Sequence, residues 1–377
     1  MALRTRVCDL LGIEYPIVLA GMGGASVPRL AAAVSNAGGL GVLGAAGCSP
    51  RRLRAWIEET RRLTNRPFGV DTLLPASVRR QTYKAASGPS PLDKLSEYQQ
   101  FAREFMEHEG LAMPDREALM REAGIDPSDH DGPQVFSKEF FEAQMEVVVD
   151  EKVPVYAAGL GNPGPWLDRL HANGTKVIAV VGVVRHALQV AETGVDIIVA
   201  QGHDGGGHNS PIGTMALIPQ VVDVVGDIPV LGAGGITDGR GVAAAMMLGA
   251  QGAWVGSAFL ATDEAGILDF QKQALVEGGD ESTTVSRCVT GKPARIIRSR
   301  WTQAWEASGL EALPMPFQPM VAMPVLAAAA VAKRKDIAPG IAGQGLGMIK
   351  AVRPAADVLR DLVAGAETAL KSAAARA

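Results

Sequence analysis

The segment AQGHDGGGH, residues 200–208, sets His203, Asp204 and His208 among Gly202, Gly205, Gly206 and Gly207, directly after the apolar run VDIIV. An imidazole titrates near neutrality, so it can take a proton from carbon or hold an anionic oxygen in place. Three successive glycines let the backbone pass close under a flat ligand. A plainer reading stands beside this one: a histidine can simply bond a neighbouring carbonyl, and an aspartate can cap or brace its own loop. His208 is the candidate base because it comes back toward the end of a strand. His203 and Asp204 are candidates for bracing.

A second chemistry-bearing pattern is LGAGGITDGRG at 231–241, followed by GSAF at 256–259. Gly234, Gly235, Gly256 and Ser257 offer backbone N–H groups with little in the way of an incoming phosphate, and the start of a helix near Thr237 and Asp238 adds a favourable dipole for an anion. Tight turns alone would also explain the glycines.

These residues need a scaffold that brings them together. Eight short apolar runs recur: 15–22, 40–46, 68–74, 153–160, 176–182, 195–202, 228–235 and 252–260. They are almost continuously apolar, as parallel strands covered on both faces must be. Amphipathic segments lie between them at about 26–37, 164–173, 183–193, 214–226 and 238–249. Another starts at Ser49 and Pro50, with Leu53, Trp56, Ile57, Thr60 and Leu63 on one side. Eight βα units favour a closed (β/α)8 TIM barrel, with a doubly wound open sheet as the alternative. In a barrel the strand carboxyl ends share one face, which collects Gly21, Met22 and Gly23, then Asp71 and Thr72, Gly159 and Asn162, Gln201 to His208, Gly234 and Gly235, and Gly256 and Ser257. The loops after the seventh and eighth strands are the usual phosphate grip of this fold.

Two stretches break the rhythm. Residues 79–150 make a crossover far longer than a βα unit requires, the pattern of a lid or an oligomer contact. Residues 262–339 read as a small α-rich subdomain, with GLEALPMPFQPMVAMP as an irregular passage. The expected organisation is a barrel over 1–261 carrying the insertion, the subdomain, and a segment over 340–377 that returns to the barrel with a terminal helix from Pro354.

Composition narrows the partners. A net charge of −4 gives no electrostatic footprint for nucleic acid or an anionic membrane. Cys8, Cys48 and Cys288 are too few and scattered for a disulfide framework, which fits a reducing compartment. The amino terminus lacks the pattern of a secretory signal, and VAMPVLAAAAVA at 321–332 falls short of the roughly 20 residues a spanning helix needs. The expectation is a cytoplasmic protein. No HExxH, spaced Cys/His set or carboxylate cluster points to a metal, and no GxSxG elbow to a serine hydrolase. His108, His130, His171 and His186 fall on expected helices or in the insertion and read as structural or exposed.

Read together, PIVLAGMGG at 16–24, SNAGGLGVLG at 35–44, PFGVD at 67–71, AQGHDGGGH, PVLGAGGITDGRGVAAAMMLGAQGAWVGSAF at 229–259 and TGKPARIIRSRW at 290–301 make the chain resemble the nitronate monooxygenase family and its relatives, the flavin-dependent enoyl thioester reductases. The resemblance implies FMN on a barrel, with phosphate held by Gly234, Gly235, Gly256 and Ser257. Gly21, Met22, Gln201, Gly206 and Gly207 would line the flavin and Asp71 would reach its ring edge. It also implies His208 as active-site base, and Gln344 with Gly345 as a closure from the carboxyl-terminal side. Asp71 stands where the family often has asparagine, Asp204 shortens its usual glutamate, and AAGLGNP at 157–163 is closer to the enoyl reductase branch.

Three functions are therefore set against one another. The leading one is an FMN oxidoreductase that oxidises nitronates or nitroalkanes with molecular oxygen. The second is an NAD(P)H-dependent flavin reductase of an enoyl or related thioester. The third is a non-catalytic barrel binding a phosphorylated ligand. Helices that stay apolar on their outer side leave room for a homodimer.

Overall fold

A computed structural model describes residues 3–74, 91–113, 115, 137–315 and 317–376. Eight parallel strands form one sheet: β1 (Ile17–Leu19), β2 (Gly41–Gly44), β3 (Phe68–Leu73), β4 (Val155–Leu160), β5 (Lys176–Val181), β6 (Ile197–Gln201), and, after a two-residue strand β7 (Gly207–His208) that belongs elsewhere, β8 (Val230–Ala233) and β9 (Ala253–Val255). Parallel pairing runs from β2 through β3, β4, β5, β6, β8 and β9 to β1. A bridge between Val18 and Leu40 then joins β1 to β2 and closes the ring. Each of the eight expected runs contains a strand, and the closed barrel replaces the open-sheet alternative.

Period-two alternation divides the strand side chains. Val18, Val42, Val155, Ala157, Ile178, Ile197, Val199, Leu231 and Trp254 fill the lumen as one cluster. Val7, Cys8 and Leu11 of the helix Arg6–Leu11, with Ile13 just after it, join the cluster and plug the lower end. The opposite strand faces pack under the barrel helices, so both faces of the sheet are dry and the strands can be uniformly apolar. The terminal helix Ala355–Ala374 lies against Gly239–Met247, and the crossing is close because Gly365 faces Gly239: a methyl group on Gly239 would sit 2.3 Å from the Ala366 nitrogen.

Some boundaries differ from the reading of the sequence. The run 252–260 is a strand only to Val255, after which Ser257–Leu260 turns helical, so Ser257 opens a helix instead of lying in a strand. A nine-residue apolar run carries no period that separates a buried strand from a buried helical turn. Leu63, expected on the buried side of Pro50–Leu63, is exposed, whereas Leu53, Ile57 and Thr60 are buried. The passage expected to be irregular up to Pro324 is helical from Phe317 to Val331. Pro319 falls in its first turn, where no hydrogen bond is lost, and burial of Val321, Ala322, Val325, Ala328 and Ala329 outweighs the bond that Pro324 removes.

The long crossover has two described parts. Lys138–Asp150 is a barrel helix packed against β3 and Pro50–Leu63. The helix Pro91–His108 instead joins Trp301, Trp305, Val321 and Val325 in a second core. His130 lies outside the described residues. Beside the helices Asp269–Glu277 and Arg300–Ser308, residues 262–339 contain two strands, β10 (Thr283–Ser286) and β11 (Ala294–Ile297). With β7 they form a three-stranded antiparallel sheet, so this region holds the loop that carries His208.

Candidate active site

At the carboxyl end of the barrel lies a cavity of about 1290 Å³. Its wall takes Gly21 and Met22 after β1, Asp71 from β3, Gln201 from β6, Gly206 to His208 from the next loop, Gly234 and Gly235 after β8, and Gly256 and Ser257 after β9. Gln344 and Gly345 are not on that wall; Gly343 is. The returning segment still packs on the site. The Gly343 N–H donates to Ser257 Oγ (2.9 Å) and the Gln344 N–H to the Asp204 carbonyl (2.9 Å). A methyl group on Gly345 would fall 1.9 Å from Thr237 Oγ1, so only glycine fits there.

His208 is held from three directions. Its backbone pairs with Ala294 of β11, its carbonyl accepts from Gln201 Nε2 (3.0 Å), and its ring Nε2 meets Thr290 Oγ1 at 2.9 Å. The Thr290 hydroxyl lies 3.4 Å from both the carbonyl and the N–H of Lys292; when it donates to that carbonyl, its oxygen accepts from Nε2–H. Nδ1 then carries the lone pair and has no protein partner among the described residues. Burial, reinforced by the nearby Lys292 charge, holds the imidazole below its ordinary value and so keeps it neutral near pH 7.

His203 and Asp204 do brace the loop. His203 Nδ1 meets the Ser210 carbonyl (2.7 Å), and the His203 carbonyl accepts from Asn209 Nδ2 and from the buried Arg295 guanidinium. Asp204 Oδ2 accepts from the Thr214 N–H (2.9 Å) at the start of the helix Thr214–Val224.

The glycine loops after β8 and β9 fit an anion. Gly234 and Gly235 have φ of 104° and 71°, a region L side chains rarely enter, and a methyl group on Gly234 would meet Thr214 Oγ1 at 2.6 Å. The N–H groups of Gly235, Ile236 and Gly256 find no acceptor among the described residues, and all three residues line the cavity. Asp238 caps the adjoining helix Gly239–Met247 through the Arg240 and Gly241 N–H groups, at 2.9 and 3.2 Å.

Opposite in chemistry is Asp71, only 6% exposed. Its carboxyl lies between two glycines: a methyl group on Gly21 would fall 2.4 Å from Oδ2, and one on Gly159 2.5 Å from Oδ1. Burial raises its pKa well above the ordinary carboxylate value, opposed only by a hydrogen bond from the Gly159 N–H.

Reading by strand ends missed Thr290, which reaches His208 only through the second sheet. It also missed Arg185 and set His186 aside as structural or exposed, and both line the cavity wall. They follow β5 and Gly182, at the start of the helix Val184–Ala191, beyond the strand end itself. His108 is exposed beside Glu109, and His171 pairs with Asp196 at 2.9 Å. Among the described residues no cluster of His, Cys, Asp or Glu could hold a metal ion, and no helix is long and apolar enough to cross a membrane.

Comparison with known proteins agrees with this geometry. Residues 4–365 match the nitronate monooxygenase family. A Mycobacterium tuberculosis protein named as a monooxygenase is 36% identical over 96% of both chains, and a Staphylococcus saprophyticus protein named as a nitronate monooxygenase is 35% identical over 80% of both. Among solved structures, nitroalkane oxidase from Streptomyces ansochromogenes superposes with a TM-score of 0.80 at 31% identity, covering 98% of this chain and 100% of that one. FabK from Thermotoga maritima gives 0.74 at 30% identity, covering 99% of each. Matched over residues 4–365, the chain belongs to the nitronate monooxygenase family of flavin-dependent oxidoreductases.

Proposed function

We propose that the protein binds FMN in this cavity and oxidises nitronates or nitroalkanes with molecular oxygen, His208 acting as the base. The observation that carries the reading is that a neutral imidazole with a free Nδ1 and a set of unpartnered loop N–H groups line one cavity. Gly234, Gly235, Gly256 and Ser257 are the residues to hold the phosphate, and Gly21, Met22, Asp71, Gln201, Gly206 and Gly207 those to border the ring. FMN, when bound, supplies the electron acceptor and the reactivity toward oxygen.

The chain's own part is proton transfer and placement. For a nitroalkane, His208 Nδ1 takes the proton from the carbon beside the nitro group, and Thr290 keeps the donor nitrogen turned away from it. For a substrate that arrives already ionised, the same ring orients the anion. A His208→Ala protein that stays yellow but loses turnover supports this assignment, and unchanged turnover rejects it.

A second reading is favoured by one feature. The cavity continues along the helix Phe317–Val331, where Met323, Leu326, Ala327 and Ala330 contribute an apolar wall of the chemistry an acyl chain needs. That suits an NAD(P)H-dependent flavin reductase of an enoyl or related thioester, and FabK is among the similar structures. Anaerobic bleaching separates the two: a nitronate bleaches the flavin under the first reading, NADH or NADPH under the second.

A further inference from the structure

Among the described residues Asp71 is the one acidic side chain on the cavity wall, and its surroundings are unusual for a carboxylate. The β1 loop presents Gly21, β2 presents Gly44 at the paired position, and β4 presents Gly159. None of these brings a charge. Among the described residues no lysine, arginine or histidine pairs with Asp71, and the ionisable side chain that senses it is the Tyr156 phenol on β4. That phenol is buried, bonded to Thr72 Oγ1 at 3.0 Å and itself uncharged. An ionised carboxylate taken this far out of water needs several donors or a cation. Asp71 has one backbone N–H.

We propose that Asp71 stands in the working protein as a neutral carboxylic acid and is a positioning residue that offers a hydrogen-bond donor as well as an acceptor to whatever occupies the cavity. As a carboxylate it could only accept; as an acid it matches an amide in shape and in its two roles. The glycines at 21 and 159 are part of the device. They bring backbone close to both oxygens and leave no side chain at either position that could carry a counter-charge. The uncharged acid also spares an anionic substrate the repulsion that a buried negative charge would impose. This goes beyond the proposed activity, on which it depends only for the nature of the occupant.

Infrared spectra of the purified, flavin-loaded protein at pH 7, in H2O and D2O, test it. The expected result is a carboxylic-acid C=O stretch above the amide I band that shifts on deuteration and is missing from Asp71→Asn. If wild-type protein lacks the band at pH 7 and gains it only on acidification, the inference is overturned. Should Asp71→Asn not fold, raising the pH of the wild-type protein replaces it: the band must give way to a carboxylate band only above neutrality. Melting temperature is the second readout. Asp71→Asn should gain on wild type as pH rises above about 4, because the unfolded chain releases a proton that the fold retains; a pH-independent difference overturns the inference. A protein that oxidises nitronates yet lacks the band defeats this inference and leaves the function intact.

Discussion

The two sides of the cavity hold their ionisable groups by different means. His208 sits in a loop that would have no fixed shape by itself; Gln201, Thr290 and β11 lock it from outside. Asp71 sits on a barrel strand whose position is set by the ladder, and what shapes its surroundings is the absence of side chains at Gly21 and Gly159. Desolvation acts on both. It lowers the pKa of the base and raises that of the acid, so opposite shifts lead to the same outcome of a neutral group. A fixed negative charge on the wall would repel any anion that enters, and a base must be unprotonated to take a proton.

The comparison breaks most visibly at His208. Replacement by alanine should lower turnover by about 10²- to 10⁴-fold, the usual range for a lost general base, with flavin retained; steady-state rates and the visible spectrum of the same preparation measure both. On the other side, Gly21→Ala places a methyl group 2.2 Å from Asp71 Cβ. Either strand or loop must move, so a destabilisation of about 1–3 kcal/mol in urea unfolding is expected, together with weaker flavin retention. An unchanged midpoint would mean that the glycine pocket around Asp71 is not tight.

The pH dependence of stability distinguishes the two groups by sign. Below its ordinary value of 6.5, His208 takes up a proton in the unfolded chain before it does in the fold, so its contribution to stability is lost as pH falls from 6.5 toward its lower folded value. Asp71 keeps its proton in the fold above its ordinary value of 3.8, so stability is lost as pH rises from 3.8 toward its higher folded value. Each slope is at most about 1.4 kcal/mol per pH unit. His208→Gln should flatten the first and Asp71→Asn the second in a pH series of urea midpoints. In the rate profile, the acid limb assigned to His208 should lie below pH 6.5.

The smallest effect isolates one hydrogen bond. Thr290→Val removes the partner of His208 Nε2 while keeping the side chain's shape, and a loss of about 0.5–1.5 kcal/mol in transition-state stabilisation follows if the hydroxyl fixes the ring. The fall should be in kcat more than in KM, with the acid limb displaced. A change confined to melting temperature would reduce Thr290 to a structural role.

Local pattern made much of this molecule legible. Eight apolar runs with helical segments between them dictate a parallel barrel, because strands buried on both faces need no alternation and connections of that length need helices. The same rule put Gly21, Asp71, Gln201, His208 and the glycines after β8 and β9 on one face, since strand ends in a barrel converge. Where a run could serve two purposes the pattern failed. GAWVGSAFL holds a strand and a helical turn, and Pro319 and Pro324 lie inside a helix.

Other features were beyond reach of the sequence because they depend on separation in the chain. Thr290 meets His208 across 82 residues, and β11 pairs with β7 only after the second region folds back over the barrel. The placing of Gly343 on the wall in preference to Gln344 and Gly345 was settled by the same docking. Residue types fixed which groups could ionise. Packing decided which of them lose contact with water, and desolvation, which no single residue specifies, set the charge that each one carries.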